Sequence, residues 1–108
     1  MTNYNFGDVV LIGFPHTDYS KISKRPTLII YDGGDQDILL ARITSQKYSS
    51  KADYIILDRI KAGLITDSYV RLGKMATIEK SYVIKKLGRM PENEILSIKS
   101  ILKEIFSL

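Results

Sequence analysis

Seven short apolar runs, each closed by turn-forming residues, precede the only stretch of this chain with a helical period. Val9 to Ile12 is closed by Gly13 and Pro15, and Thr27 to Tyr31 by the DGGD turn at Asp32 to Asp35. Ile38 to Thr44 follows within hairpin distance, so these two runs are expected to pair antiparallel. Tyr54 to Leu57, Tyr69 to Leu72, Thr77 to Ile78 and Val83 to Leu87 complete the set. Their β-branched and aromatic content favours strands, and most are too short for helices. From Pro91 onward the period changes. Ile95, Ile98, Ile101, Leu102 and Ile105 fall on one helical face, widened by Leu96 and Phe106. Pro91 suits the first turn, where its missing N–H costs nothing. Glu92 and Glu94 lie near the positive end of the helix dipole, and Lys99 and Lys103 lie toward the other end. The expected fold is α+β: a small, strongly bent antiparallel β-barrel with a C-terminal amphipathic helix packed on it.

At 108 residues the chain is sized for one domain, 1–108, and it holds no repeat or linker-like segment. The absence of cysteine fits a reducing compartment. MTNYNFGDVV lacks a basic n-region and a long apolar run, so no signal peptide is expected. No apolar stretch approaches the roughly 20 residues that cross a bilayer. The chain therefore reads as cytoplasmic, with no membrane partner. Its net charge is +4, and Lys21, Lys24, Arg25, Arg42 and Lys47 all fall in the first half. That balance permits a polyanionic partner and equally describes an ordinary basic surface.

The residue inventory narrows the chemistry. One histidine and no cysteine exclude the common zinc patterns, and no phosphate-cradling glycine loop leads into a helix. Neither a metal nor a cofactor is expected. An enzyme built from Arg, Lys, His, Ser and Thr suits RNA, which carries its own nucleophile, the 2′-hydroxyl, beside each phosphate. Such a protein aligns that hydroxyl, moves its proton and stabilises the charge growing on phosphorus. Arg25 precedes Pro26, which disfavours helical geometry and holds the arginine extended at the mouth of a strand. It reads as a surface ion pair or as a phosphate ligand. Thr44 shares a strand face with Leu40 and Arg42 and reads as a β-branched strand end or a site hydroxyl. Arg71, among apolar neighbours, either pairs with Asp53 or Asp67 or serves a site. His16, in the loop FPHTD, titrates near neutrality and could move protons, or could be incidental. Tyr19, Tyr31, Tyr48 and Phe14 could stack on bases or fill the core.

In order, GDVVLIGFPHTD, SKRPTLII, ILLARITSQ and AGLITDSYVRLGKMATIEKSYVIKKLGRM resemble the PemK/MazF-like family of type II toxins, in its FPFTD-type branch. The resemblance runs from Gly7 to about Met90, with the amphipathic tail where the family has its last helix. It implies an SH3-like barrel of the CcdB/MazF type, a homodimer, and a cognate antitoxin whose disordered tail covers the RNA groove. It also implies metal-independent, sequence-selective cleavage of single-stranded RNA to a cyclic phosphate and a 5′-hydroxyl. Arg25 matches the family's Arg-Pro arginine, Thr44 the threonine ending the third strand, and Arg71 a further arginine at the scissile phosphate. His16 is the loop histidine, although the member that uses one places it near the position of Tyr19. A carboxylate found in some members is replaced by Gly73. Lys21, Lys24, Ser45, Lys47 and Lys74 are the expected RNA contacts. The alternative is a non-catalytic nucleic-acid-binding module, or a gyrase poison like CcdB. The latter acts through a C-terminal tryptophan, whereas this chain has none and ends IFSL.

Overall fold

The computed structural model describes residues 2–15 and 22–108. His16, Tyr19 and Lys21 lie outside the described residues, as does the side chain of Phe14. Six strands form one antiparallel sheet: β1 (Asp8–Pro15), β2 (Ile22–Asp32), β3 (Asp37–Thr44), β4 (Asp53–Ile55), β5 (Tyr69–Glu79) and β6 (Val83–Arg89). A single 3₁₀ turn, Lys80–Tyr82, joins β5 to β6, and helix α1 (Glu92–Ile105) ends the chain. The strand order is β4-β5-β3-β2-β1-β6, so the expected β2–β3 hairpin sits at the centre.

Three expectations are corrected by the structure. β2 starts at Ile22, so Arg25 lies inside the strand and not at its mouth, with Lys24 before it and Pro26 after it in the same strand. Pro26 is tolerated there because pairing with β3 begins only at Thr27, which leaves that side of β2 without a neighbour to bond. Tyr69 to Leu72 and Thr77 to Ile78 are one strand, β5, despite Gly73 between them. Ala41 faces Met75 while Arg42 faces Arg71, so one step on β3 spans four on β5. Leu72, Gly73 and Lys74 form the resulting bulge, which bends the sheet and re-aims the side chains it carries. Leu96 and Phe106 remain exposed instead of joining the apolar stripe of α1.

Period-2 alternation divides the sheet into two apolar faces. On one, Val9, Leu28, Ala41, Ile43, Val70 and Leu72 pack under Ile95 and Ile98 of α1 and under Ile56 to Leu64. On the other, Val10, Ile12, Ile29, Ile38 and Leu40 are covered by Tyr4, Ile78, Tyr82 and Val83. Gly7 lets the chain pass under the helix. It has φ +97°, and a Cβ built there would lie 2.5 Å from Ile95 Cδ1.

Two buried carboxylates hold these layers together. Glu94, 1% exposed, accepts the Tyr54 hydroxyl at 2.7 Å and the backbone N–H groups of Leu57 (2.7 Å) and Asp58 (3.0 Å). Burial and the adjoining Glu94 carboxylate push the Tyr54 phenol well above its ordinary range, so it stays a proton donor to Glu94. Asp32 accepts the N–H groups of Tyr4 (2.7 Å) and Gly34 (2.8 Å) and lies 2.9 Å from Lys80 Nζ. Burial alone would raise the Asp32 carboxyl. The hydrogen bonds from Tyr4, Lys80 and Gly34 outweigh it and hold the group below its usual value.

Glu94→Ala leaves two backbone donors without their acceptor and is expected to lower unfolding free energy by about 3 kcal/mol. Glu94→Gln, which keeps one oxygen, should lose less, and urea titration of the three proteins measures the order. For Asp32 the depressed folded-state value means its contribution is present at neutral pH and is lost as pH falls through the ordinary carboxylate range and on through that depressed value. The stability gap between wild type and Asp32→Asn should therefore narrow between pH 6 and pH 3. Urea midpoints measured across that range check this.

Candidate nucleic-acid site

Arg25 sits on β2 opposite Ile12, two residues before Thr27, which faces Arg42 on β3. By alternation Arg25, Thr27 and Ile29 share a sheet face. Ile29 is in the second apolar cluster and Thr27 is buried, its hydroxyl donating to the Val10 carbonyl at 3.3 Å. Arg25 is the first residue along this face to emerge into solvent. Among the described residues it has no carboxylate partner to make the surface ion pair that the sequence allowed. It lines two clefts at once, one toward the end of β3 and one across the outer face of β3 and β5.

The first cleft, about 270 Å³, lies between Arg25, Thr44 and Ser45 on one side and Leu64 to Ser68 on the other. Thr44 ends β3, and its Oγ1 accepts the Gln46 N–H at 3.1 Å, a turn that leaves the hydroxyl proton free to donate. The far wall is braced from several directions. Ser68 is buried, its Oγ donates to the Thr66 carbonyl at 2.9 Å, and its carbonyl accepts the Ile56 N–H at 3.0 Å. The Leu64 N–H donates to the Arg59 carbonyl at 2.8 Å, and Arg59 Nη1 returns a bond to the Leu64 carbonyl at 3.2 Å. Gly63, at φ +79°, lets this segment press on β6, where any Cβ would collide with the Leu87 carbonyl. Lys24 reaches the rim of this cleft.

The second cleft, about 450 Å³, adds Arg42 and Lys74 to Arg25. The spacing of Leu40, Arg42 and Thr44 already placed Arg42 on the site face. Its proximity to Arg25 follows from the Thr27–Arg42 register, which no local pattern encodes. Lys74 is delivered by the β5 bulge.

The remaining expected residues are distributed differently. Arg71 Nε lies 3.2 Å from Asp53 Oδ1, and the guanidinium sits 3.8 Å above the Tyr48 ring. This is one of the two pairings the sequence allowed, and Arg71 lines neither cleft. Tyr48 is accordingly occupied, while Tyr31 is exposed at the other end of β2. Lys47 is exposed in the segment after Thr44. His16 and Lys21 fall outside the described residues. Among the described residues no three of His, Cys, Asp or Glu converge to hold a metal ion, and no helix is long and apolar enough to cross a membrane.

The geometry is thus an arginine lining two open clefts without a carboxylate partner among the described residues, a threonine hydroxyl on one of those clefts, and further cations on the same face. A profile of PemK-like, MazF-like toxins of type II toxin–antitoxin systems matches residues 5–106. No curated protein sequence matches the chain. The fold is similar to that of a MazE–MazF crystal structure from Deinococcus radiodurans, with 13% identity and a TM-score of 0.78, covering 99% of this chain and 99% of that one. It is similar to an endoribonuclease from a mycobacterial species, with 17% identity and a TM-score of 0.76, covering 100% of this chain and 95% of that one. It is also similar to a mycobacterial endoribonuclease in complex with its cognate antitoxin, with 18% identity and a TM-score of 0.73, covering 95% and 94%. At these identities the structural similarity speaks to the fold, whereas the profile spans almost the whole sequence from before β1 to the last turn of α1. The chain belongs to the PemK-like, MazF-like toxin family of type II toxin–antitoxin systems.

Proposed function

We propose that this chain, as a single domain over residues 1–108, is a toxin that cleaves single-stranded RNA, messenger RNA above all, in the cytoplasm without a metal ion. The observation that carries this reading is Arg25, a solvent-facing cation that has no carboxylate partner among the described residues and shares a cleft with Thr44, in a chain of this family. In the proposed reaction the RNA 2′-oxygen attacks the adjacent phosphorus and the bond to the 5′-oxygen breaks. The 2′-hydroxyl proton leaves to a base, and the departing 5′-oxygen is protonated, giving a cyclic phosphate and a 5′-hydroxyl.

Each residue has a distinct part. Arg25, with its planar fork, spans two phosphate oxygens and stabilises their growing charge. Thr44, whose oxygen is oriented by the Gln46 N–H, donates to a phosphate oxygen and fixes its position. His16, on the segment joining β1 to β2, is the proposed proton carrier, since no other side chain type in the sequence titrates near neutrality. Arg71 is assigned a positioning role: through Asp53 and Tyr48 it anchors the segment that carries Ser45, Gln46 and Lys47. Lys21, Lys24, Ser45 and Lys47 contact the strand on either side. Sequence selectivity is assigned to the β1–β2 segment and to the segment after Thr44. A homodimer and a cognate antitoxin partner follow from the family, and similar solved structures include complexes with an antitoxin.

Purified protein is incubated with mixed-sequence single-stranded RNA in excess EDTA, and the new ends are identified. Cyclic phosphates and 5′-hydroxyls are expected; intact RNA with retained binding would replace the nuclease reading with a binding module. Arg25→Ala should lower the cleavage rate by about 100-fold or more, the scale of removing a charge-stabilising donor. Lys103→Ala, on the last turn of α1, should leave the rate unchanged.

A further inference from the structure

We propose that Arg42 and Lys74 form a second phosphate subsite, which holds the nucleotide adjoining the one at Arg25, with that nucleotide's base lying on the apolar wall of the same cleft. The proposal rests on reading the Arg25 face as an RNA site, and it assigns Arg42, which the family resemblance left without a role.

Charge is the first argument. Arg25, Arg42 and Lys74 line one cleft with no carboxylate among its described lining residues. Both Arg42 and Lys74 are exposed, and among the described residues neither has an ion pair. Three cations lining one cleft repel one another in the free protein, and an anion placed between them relieves that repulsion. Spacing is the second argument. Arg42 lies opposite Thr27, where the β2–β3 ladder ends, so Arg25 and Arg42 are diagonal neighbours on one face and line one cleft. Two cations so placed address consecutive phosphates of an extended strand. Lys74 closes the far side, because the bulge at Leu72–Lys74 lifts it out of the ladder.

The apolar wall decides which polyanion fits. Leu40, Ala76 and Ile78 line the same cleft beyond Arg42, on the side away from Arg25, and give it an apolar wall. A base can cover that surface only if it is unstacked from its neighbours, which a duplex does not permit. The occupant is therefore a single strand of at least three nucleotides, one phosphate at Arg25 and the next at Arg42 and Lys74. Neither contact uses the 2′-hydroxyl, so a 2′-deoxy strand fills the subsite without being cut.

That last property supplies the test. Binding of a mixed-sequence 2′-deoxy single strand to the full chain is titrated across salt concentration by fluorescence anisotropy. Loss of one phosphate contact on a single strand makes the slope of log K against log salt shallower by about 0.7. Arg42→Ala and Lys74→Ala should each show that change, and Arg42→Lys should restore the wild-type slope. Thermal melting of each variant checks that it is folded, and Lys74→Ala, on the exposed bulge, keeps the measurement available if Arg42→Ala is not. In cleavage assays Arg42→Ala should raise KM on a long RNA at unchanged kcat and leave a dinucleoside monophosphate, which has a single phosphate, unaffected. Unchanged salt slopes in both alanine variants, or no binding of single strands by the wild type, would overturn the subsite. Shallower slopes without RNA cleavage would leave the subsite standing and remove the nuclease reading instead.

Discussion

The register between β2 and β3 is the constraint on which the rest of the structure is built. These strands occupy the centre of the sheet, and every other strand is added outward from them. The register is anchored where the hairpin turns. Asp32, its side chain fully buried, binds the turn through the Gly34 N–H, the N-terminal segment through the Tyr4 N–H, and the end of β5 through Lys80. One carboxylate thus ties three separate segments to the base of one hairpin. A slip of one residue in β3 would turn Ala41 and Ile43 out of the cluster under α1 and drive Arg42 into it, at prohibitive cost.

The same alternation that builds the core also builds the site. On the second sheet face the apolar run Val10, Ile12, Ile29, Ile38 and Leu40 is covered only as far as Tyr4, Ile78, Tyr82 and Val83 reach. Beyond that cover the face continues with Arg25 and Arg42, and here the pleat delivers cations where elsewhere it delivers isoleucines. Site and core are two ends of one surface. The opposite wall of the first cleft depends on the other buried carboxylate. Glu94 fixes Leu57 and Asp58 to the first turn of α1, and the segment that follows runs on to Leu64 through Ser68. Burying that charge is costly, and three hydrogen bonds at or below 3.0 Å offset the cost.

Much of this was legible in the residues themselves. The short β-branched runs, the DGGD turn and the change of period at Pro91 describe the sheet, its central hairpin and its helix. The misreadings share a cause. Gly73 looks like a strand end because glycine weakens a strand in isolation, yet β3 on one side and the Ala52 carbonyl, which accepts the Leu72 N–H, on the other carry β5 through it. Pro26 looks like the start of β2 because a proline cannot donate to a ladder, and only the staggered overlap with β3 makes it harmless. Glu94 carried a local signal that dipole reasoning obscured. It lies on the same helical stripe as Ile98, Ile101 and Ile105, a position where a lone carboxylate must find buried donors.

By itself the sequence determined the element types, the central antiparallel pair, the amphipathic helix and the candidacy of Arg25 and Thr44, because these rest on local periodicity, turn chemistry and ordered motifs. Tertiary structure alone decided which cations are free and which are already engaged. Arg71 and Arg42 are indistinguishable as charges on strands, and they even face each other across one ladder position. Arg71 meets Asp53 and Tyr48, whereas Arg42 meets an open cleft shared with Arg25. That difference comes from register, bulge and edge-strand placement, which are set by the packing of residues far apart in the chain.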